Sequence, residues 1–245
     1  RWEARQYRAG NLWHRWDYPY PVGSKVFDAQ HAIIGAYLNS NWRAFRTWGM
    51  SANSPWEHHF FWSLREGVDR RREELPVDWE NLQRPGFSPD YIDERFERWD
   101  LAFQRSDWIP TADGQAILRN NMPLLAYISG KPAAFTSKDH IFTPGESFEK
   151  QIIVINNSRE TVTCDCRWSL GLPRAVSGTA SATIPTGAQE RIPMRFSLPA
   201  GLAPGKYELT STVRFGTGET QADSFTIHVV EPPRPPQVAG IEAFG

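Results

Sequence analysis

The chain has 245 residues, 40% of them hydrophobic and 22% charged, enough for one large domain or two ordinary ones with buried cores. Its formal net charge of −1 excludes a global electrostatic field that would recruit nucleic acid or an anionic membrane. No apolar run reaches transmembrane length, and the first residues do not have the pattern of a signal peptide.

Tryptophan divides the chain into two compositional regions. Of 11 tryptophans, only Trp168 follows Trp108. Residues 1–27 interleave aromatic residues with prolines, which discourage helix and central strand, so this segment is predicted to be a long loop that packs or lines a site. The opening on Arg1 rather than methionine favours a processed product or a fragment.

A first helix is predicted from Asp28, a capping residue, to about Trp48, with Gly49 ending it. Its apolar residues fall at helical spacing: Ile34, Leu38, Trp42 and Phe45. A short strand at 50–54 and an irregular turn at 56–62 follow in the prediction.

Two more helices are predicted before the composition changes. Ser88, Pro89 and Asp90 form a strong helix start for a segment that reaches about residue 105. A shorter helix is predicted over 112–119.

After about Asn121 the hydrophobic period changes to that of strands. The predicted strands are Leu124–Ile128, Phe148–Ile155, Val162–Leu170, Arg191–Leu198, Tyr207–Phe215 and Ser224–Val230. Short strands with turns and no helix between them predict an immunoglobulin-like β-sandwich over 123–232. The remainder, 233–245, reads as a proline-rich tail.

The two cysteines, Cys164 and Cys166, are two residues apart on a predicted strand. They are expected to share a face and to stay unpaired, because neighbours at this spacing rarely close a disulfide. The sequence has no zinc-binding HExxH spacing, no phosphate-binding glycine loop and no nucleophile elbow, so no metal or cofactor is expected.

The run NWRAFRTWGMSANSPWEHHFFW at 41–62 resembles the last part of a clan A glycoside hydrolase barrel, of the family 2-like and β-galactosidase-like kind. The runs FTPGESFEKQIIVINNS and GLAPGKYELTSTV resemble the immunoglobulin-like modules appended to such enzymes. The resemblance implies an α+β multidomain fold, with the helix-rich, aromatic end of a (β/α)8 barrel at 1–122 before the sandwich. Because such a barrel needs eight strands, it also implies that another polypeptide segment completes the barrel.

Retaining glycosidases use two carboxylates about 5–5.5 Å apart, as acid/base and nucleophile. In this chain the resemblance offers Glu3 as a catalytic candidate. The alternative is that Glu3 is an exposed terminal residue and the catalytic carboxylates lie outside this chain.

The resemblance places Trp56 where the family has a stacking platform for a sugar, and an indole face suits the CH groups of a sugar ring. The alternative is a tryptophan that only packs. Glu57 is a candidate to bind a sugar hydroxyl or to pair with Arg46 or Arg65. His58 is a candidate to bind substrate, while the adjacent His59 faces the opposite way on an extended segment.

Trp13 and Trp16 are further candidates for a substrate-binding wall, or for a packed loop. The leading hypothesis is one part of a retaining glycoside hydrolase acting on an oligo- or polysaccharide, with this chain supplying one wall of the sugar site. The alternative is a non-catalytic carbohydrate-binding or partner-docking module with a structural β-sandwich. A third hypothesis is a structural interaction protein, and none of the three predicts nucleic-acid binding or membrane insertion.

Overall fold

The computed structural model describes residues 24–50, 61–67, 106 and 108–233. The chain divides into two compact units. The first comprises Arg1–Trp42 and Ala52–Asn120, and the second comprises Arg43–Ser51 and Asn121–Gly245.

The described part of the first unit contains helices and a small antiparallel ribbon. Its elements are α1 (Ser24–Thr47, whose last turn from Arg43 belongs to the second unit), β1 (Trp62–Leu64), β2 (Trp108–Pro110) and α2 (Ala112–Asn120). Thr111 starts α2 as its cap, because its carbonyl oxygen accepts a hydrogen bond from the Gln115 N–H at 2.8 Å. Gly114 is required here, since a Cβ at this position would lie 2.0 Å from the Phe61 carbonyl oxygen.

The prediction of a helix-rich (β/α)8 barrel end is wrong. Barrel strands run parallel, whereas β1 and β2 pair antiparallel over three residues, with Trp62 opposite Pro110. β-strand is the commonest structure in the described residues, in antiparallel or mixed sheets, and the described residues contain two helices. The segment 50–54, the helix from Ser88 and the tail beyond residue 233 lie outside the described residues.

The first helix forms as predicted and ends at Gly49. The Gly49 N–H donates to the Arg46 carbonyl at 3.0 Å, and the Met50 N–H donates to the Phe45 carbonyl at 3.0 Å. This bond pair is a Schellman motif, which needs the left-handed conformation that Gly49 adopts at φ 82°. The helix starts at Ser24, so Asp28 lies inside its first turns rather than capping it.

The second unit is a β-sandwich of two sheets. Its strands are β3 (Leu124–Ser129), β4 (Ile141–Phe142), β5 (Ser147–Asn156), β6 (Val162–Leu170), β7 (Val176–Ile184), β8 (Ala188–Ser197), β9 (Gly205–Phe215) and β10 (Thr220–Val229). One sheet has the order β3-β5-β8 and the other β4-β10-β9-β6-β7. All pairs are antiparallel except β4 with β10.

Alternation along the strands builds the core between the sheets. On β5 the inward residues Phe148, Ile152 and Val154 are buried, and β9 contributes Leu209 and Val213. The two-residue period that predicted strands from sequence is therefore the period of this core.

Six strands form where the sequence predicts them, and β4 and β7 were missed. β7 has the sequence VSGTASATI, whose small and hydroxylated residues give no strong strand signal. β4 has only two residues, Ile141 and Phe142, too few to show a period.

The outer face of the three-stranded sheet carries a second apolar cluster. It contains Leu125, Tyr127, Ile153 and Ile155, with Phe135 packed against them. The end of α1 lies on this cluster: the Thr47 hydroxyl is 2.7 Å from the Tyr127 hydroxyl, and the Trp48 ring meets the Phe135 ring at 5.4 Å.

Two β10 side chains bond the free edge of β3. Gln221 accepts the Ala126 N–H at 2.8 Å and donates to the Leu124 carbonyl at 2.9 Å. Asp223 accepts the Ile128 N–H at 2.9 Å. Side chains of one sheet therefore satisfy the edge of the other, which joins the sheets along this side of the sandwich.

Candidate functional site

The candidate residues of the sugar site have no described geometry. Outside the described residues lie Glu3, Trp13, Trp16, Trp56, Glu57 and His58. The glycosidase hypothesis therefore stays a prediction without support from the described residues, and its barrel context is wrong. Within those residues, no three His, Cys, Asp or Glu side chains are grouped to hold a metal ion, and no helix is long and apolar enough to cross a membrane.

The first unit contains one buried polar pair. His31 on α1 has its Nδ1 2.8 Å from Oδ1 of Asp113, on the first turn of α2, and the Thr111 hydroxyl donates to the same oxygen. Asp113 is fully buried, and its Oδ2 has no hydrogen-bond partner within the described part of the chain. This pair joins two helices.

The second unit carries an open groove with a volume of about 840 Å³. It lies between the β3–β4 loop, β4 and the first residues of β5, with Arg195 of β8 at its side. We call this the lysine groove, lined by Lys131, Lys138, Asp139, His140, Ile141, Phe142, Glu146, Ser147, Phe148, Glu149 and Arg195.

Two of the three acidic side chains that line the lysine groove, Asp139 and Glu146, have partners in its own walls. Lys131 pairs with Asp139 at 3.2 Å, and both are half-exposed. Glu146 accepts the Thr143 N–H at 2.7 Å and so closes the turn before β5. Glu149 lies directly opposite Arg195 in the strand register.

A buried lysine supports the groove from behind. Lys150 points between the sheets from the same face of β5 as Phe148, and only 1% of it is exposed. Its Nζ donates to the Asp139 carbonyl at 2.7 Å and lies 3.9 Å from the centre of the Phe225 ring. The hydrogen bond ties the β3–β4 loop to the sandwich, and the ring offers a cation–π contact.

Burial sets the charge behaviour of Lys150. Loss of hydration lowers its pKa from 10.5 to about 8, and the charges of Lys138 and Lys131 add to this, while Asp139 opposes it. The Ser137 hydroxyl, then Lys131, hold the pKa of the Asp139 carboxyl below its usual value. A lysine with a perturbed pKa behind a groove marks a candidate functional site.

Sequence reasoning missed this site, although a signal for Lys150 is present. In FEKQIIVI the residues Phe148, Ile152 and Val154 occupy one face of the strand, and Lys150 falls on that same face. A lysine in an apolar register predicts a buried ammonium. The groove itself depends on the β3–β4 loop conformation, which no period in the sequence encodes.

The groove offers both donors and acceptors, together with some apolar surface. Ammonium and guanidinium groups stand beside carboxylates, and Ile141 is 59% exposed. His140 donates from Nδ1 to the Lys138 carbonyl at 2.7 Å, and its ring meets His228 edge-on at 5.8 Å. Such a surface can bind a ligand with hydroxyl and acidic groups, and it contains no nucleophile–base pair.

The second unit is defined by its fold as a β-sandwich protein domain. No family model and no curated protein matches the sequence. Solved structures with similarity include the CARDB domain of the PF1109 protein from Pyrococcus furiosus, at 14% identity and a TM-score of 0.34, where the match covers 44% of this chain and 87% of that one.

Two further similar structures differ widely from each other. A family 123 glycoside hydrolase from Clostridium perfringens matches at 12% identity and a TM-score of 0.32, over 46% of this chain and 28% of that one. A PapD-like domain of human CEP192 matches at 16% identity and a TM-score of 0.29, over 44% of this chain and 87% of that one. Likenesses at this level assign neither a family nor a function.

Proposed function

We propose that the sandwich unit is a non-catalytic binding module and that its lysine groove binds an acidic oligosaccharide. The observation that carries the proposal is the groove itself: about 840 Å³ of open space in which cations stand beside engaged carboxylates. The proposal shares carbohydrate binding with the non-catalytic alternative derived from the sequence, but it places the binding site on the β-sandwich, which that alternative treated as structural.

The chemistry of the walls favours a saccharide with carboxyl groups. Sugar hydroxyls both donate and accept hydrogen bonds, which matches a wall of mixed charge. Lys131 and Lys138 are exposed cations at the groove, and Arg195 can hold a carboxylate through two parallel hydrogen bonds. The exposed Ile141 supplies apolar contact for the CH groups of a ring.

The test is a calorimetric titration of the intact chain with an oligosaccharide of uronic acids and with a neutral oligosaccharide of equal length. We expect binding of the acidic ligand, weakened at least about tenfold in Arg195→Ala and in Lys138→Ala by loss of a charged hydrogen bond. Arg167→Ala, on β6 of the other sheet, serves as the matched control and should bind like the unmodified chain.

Three results would contradict this proposal. They are absence of binding, equal binding of the neutral ligand, and binding that the groove variants leave unchanged. An acidic peptide of the same charge is included as a third ligand, and its selective binding would identify a protein-docking surface instead of a saccharide site.

A further inference from the structure

The two sheets of the sandwich have four edges, and three of them are protected in the described residues. One edge ends in β4, a strand of only two residues that pairs with the end of β10, and the side chains of Gln221 and Asp223 bond the edge of β3. Exposed edges present unpaired N–H and C=O groups, which template pairing with another chain unless they are blocked.

The edge of β8 is blocked by a proline. The Leu198 N–H donates to the Glu146 carbonyl in the β5–β8 register. The backbone N–H and C=O groups of even-numbered β8 residues therefore bond β5, and those of odd-numbered residues point to the free edge. Pro193 therefore places its missing N–H on the free side. Arg191 and Arg195 flank it with charge, a usual protection of an edge.

The orientation of β7 follows from the bonds of its neighbour. The Gly216 N–H donates to the Thr163 carbonyl at 2.8 Å, and Gly171 donates to Glu208 at 2.9 Å, so odd-numbered β6 residues face β9. Even-numbered β6 residues consequently bond the even-numbered residues of β7. The N–H and C=O groups that face away from β6 belong to Ser177, Thr179, Ser181 and Thr183.

Unlike the other edges, β7 carries none of the usual protections. From Val176 to Ile184 it has nine residues without a charge or a proline. Its outward-facing hydroxyl residues are exposed, and among the described strands none pairs with its free side.

We infer that β7 pairs antiparallel with β7 of a second copy of this chain, with Ala180 on the two-fold axis. In this register Ser177 lies opposite Thr183 of the second copy, and Thr179 lies opposite Ser181. Odd-numbered residues then face odd-numbered residues, so every outward N–H and C=O finds a partner. The five-stranded sheets of two copies become one ten-stranded sheet.

The side chains of β7 suit this self-pairing. Serine and threonine meet across the new pair on the outer face, a stabilising cross-strand combination. On the inner face Gly178 lies opposite Ala182 of the second copy, and Ala180 lies opposite Ala180 of the second copy. At these positions the paired Cα atoms come within about 4.5 Å, so only small side chains fit easily. Because β7 carries no charge, its symmetric pairing opposes no like charges directly.

Sedimentation velocity of the full chain tests the pairing. We expect a concentration-dependent dimer. Thr179→Pro removes an outward N–H without touching the bonds to β6, and both copies lose one bond, so the dimer dissociation constant should rise at least about tenfold. Thr179→Ala is the matched control, since it keeps the N–H and should leave the dimer intact.

Hydrogen exchange measured residue by residue provides a second readout. In the dimer the amides of Ser177, Thr179, Ser181 and Thr183 should be protected, and dilution should release them. A chain that stays monomeric at about 200 μM, roughly two hundred times a dissociation constant of 1 μM, would overturn the inference. A dimer that Thr179→Pro leaves unchanged, while circular dichroism shows that the variant is folded, would also overturn it. So would protection of these amides in a monomer, which would assign the edge to another segment of the same chain.

If Thr179→Pro fails to fold, the double variant Thr179→Lys with Ser181→Lys places like charges opposite each other across the two-fold axis and should give the same dissociation.

Discussion

Gly178 on β7 has no side chain because the indole of Trp168 occupies the space. A Cβ built there would lie 2.4 Å from Cζ2 of Trp168, so Gly178→Ala requires the ring or the strand to shift. We expect the free energy of unfolding to fall by about 1–3 kcal/mol, measured by urea denaturation. Gly171→Ala is the control, since its Cβ would meet only the Glu208 carbonyl at 3.5 Å.

A compensating change separates this clash from a general cost of replacing glycine. Trp168→Leu shortens the side chain that opposes Gly178, so Gly178→Ala should cost less in that background. Equal costs in both backgrounds would contradict the assigned contact.

Lys150 makes the stability of the sandwich depend on pH. Its pKa is about 8 in the folded chain and 10.5 in the unfolded chain, so the unfolded state holds more protons between these values. The free energy of unfolding should therefore rise as the pH increases from about 8 to 10.5, by an amount on the order of 3 kcal/mol. Below about pH 8 both states are protonated and the contribution is constant.

Lys150→Met isolates this contribution. The variant should lack the rise, so the difference in unfolding free energy between the two proteins should be nearly the same in urea melts at pH 7 and 8 and should change steadily from pH 8 through 9 to 10. Lys206→Met removes an exposed lysine from β9 and should leave the pH dependence intact. A pH-independent difference for Lys150→Met would show that the ammonium is not desolvated.

At the scale of elements, the Asp223 side chain of β10 connects the end of α1 with the edge of β3 through hydrogen bonds. The two Asp223 carboxylate oxygens each accept from the Arg43 guanidinium at 3.1 Å, and one of them also accepts the Ile128 N–H. A bidentate pair in this part-buried setting orients the last turn of α1 against the outer cluster of the three-stranded sheet.

Asp223→Ala should destabilise the sandwich by about 2–4 kcal/mol, because it leaves the Arg43 charge and a strand N–H without this acceptor. Asp223→Asn keeps one acceptor and should cost less, as measured by thermal and urea unfolding. Combining Asp223→Ala with Arg43→Ala should cost less than the sum of the two single changes. Strict additivity would show that the pair is not coupled.

The sequence predicts elements that carry a period and misses those that do not. Most of the six predicted strands alternate, β3 is a continuous apolar run, and both described helices show helical spacing. Gly49 marks the end of α1, because its positive φ is a conformation that few other residues adopt. β7 was missed because its residues are small, and a long-range pair such as Arg43 with Asp223, 180 residues apart, leaves no local pattern. The lysine groove depends on a loop, so only Lys150 was within reach of sequence reasoning.

The barrel prediction failed at a definable step. A helix that ends at a glycine before an aromatic run also fits a helix that ends on a sandwich. Trp48 and Thr47 pack at the outer cluster of the three-stranded sheet, where they contact Phe135 and Tyr127. The sequence pattern predicts where α1 ends, but it does not predict which part of the fold that end packs against.

At the scale of the whole molecule, the cysteines and most of the tryptophans lie in different parts of the sequence. Both cysteines of the chain lie on β6 in the second unit, whereas ten of the 11 tryptophans stand at or before Trp108. Cysteine reactivity therefore follows the opening of the sandwich, while most of the tryptophan emission comes from the other end of the sequence.

The thiols should be inert until the sandwich opens. Cys164 and Cys166 are 2% and 1% exposed on the inward face of β6, and their sulfur atoms are 3.9 Å apart. Their mutual hydrogen bond, followed by burial, raises the pKa of Cys166, and the same hydrogen bond lowers the pKa of Cys164. Burial is therefore what keeps a thiol reagent away from both sulfur atoms. Labelling with a thiol reagent in native buffer should be at least about a thousandfold slower than in urea, where both thiols react.

The urea midpoint of labelling should coincide with the loss of β-sheet circular dichroism. The single variant Cys164→Ala removes the hydrogen bond between the two thiols but leaves Cys166 buried, so Cys166 should still react only when the sandwich opens. Since a disulfide requires about 2.05 Å between the sulfur atoms, mass spectrometry of the aerobically purified chain should show two free thiols. Fast native labelling, or a midpoint that follows tryptophan fluorescence instead of the β-sheet signal, would contradict the placement of both cysteines in the sandwich core.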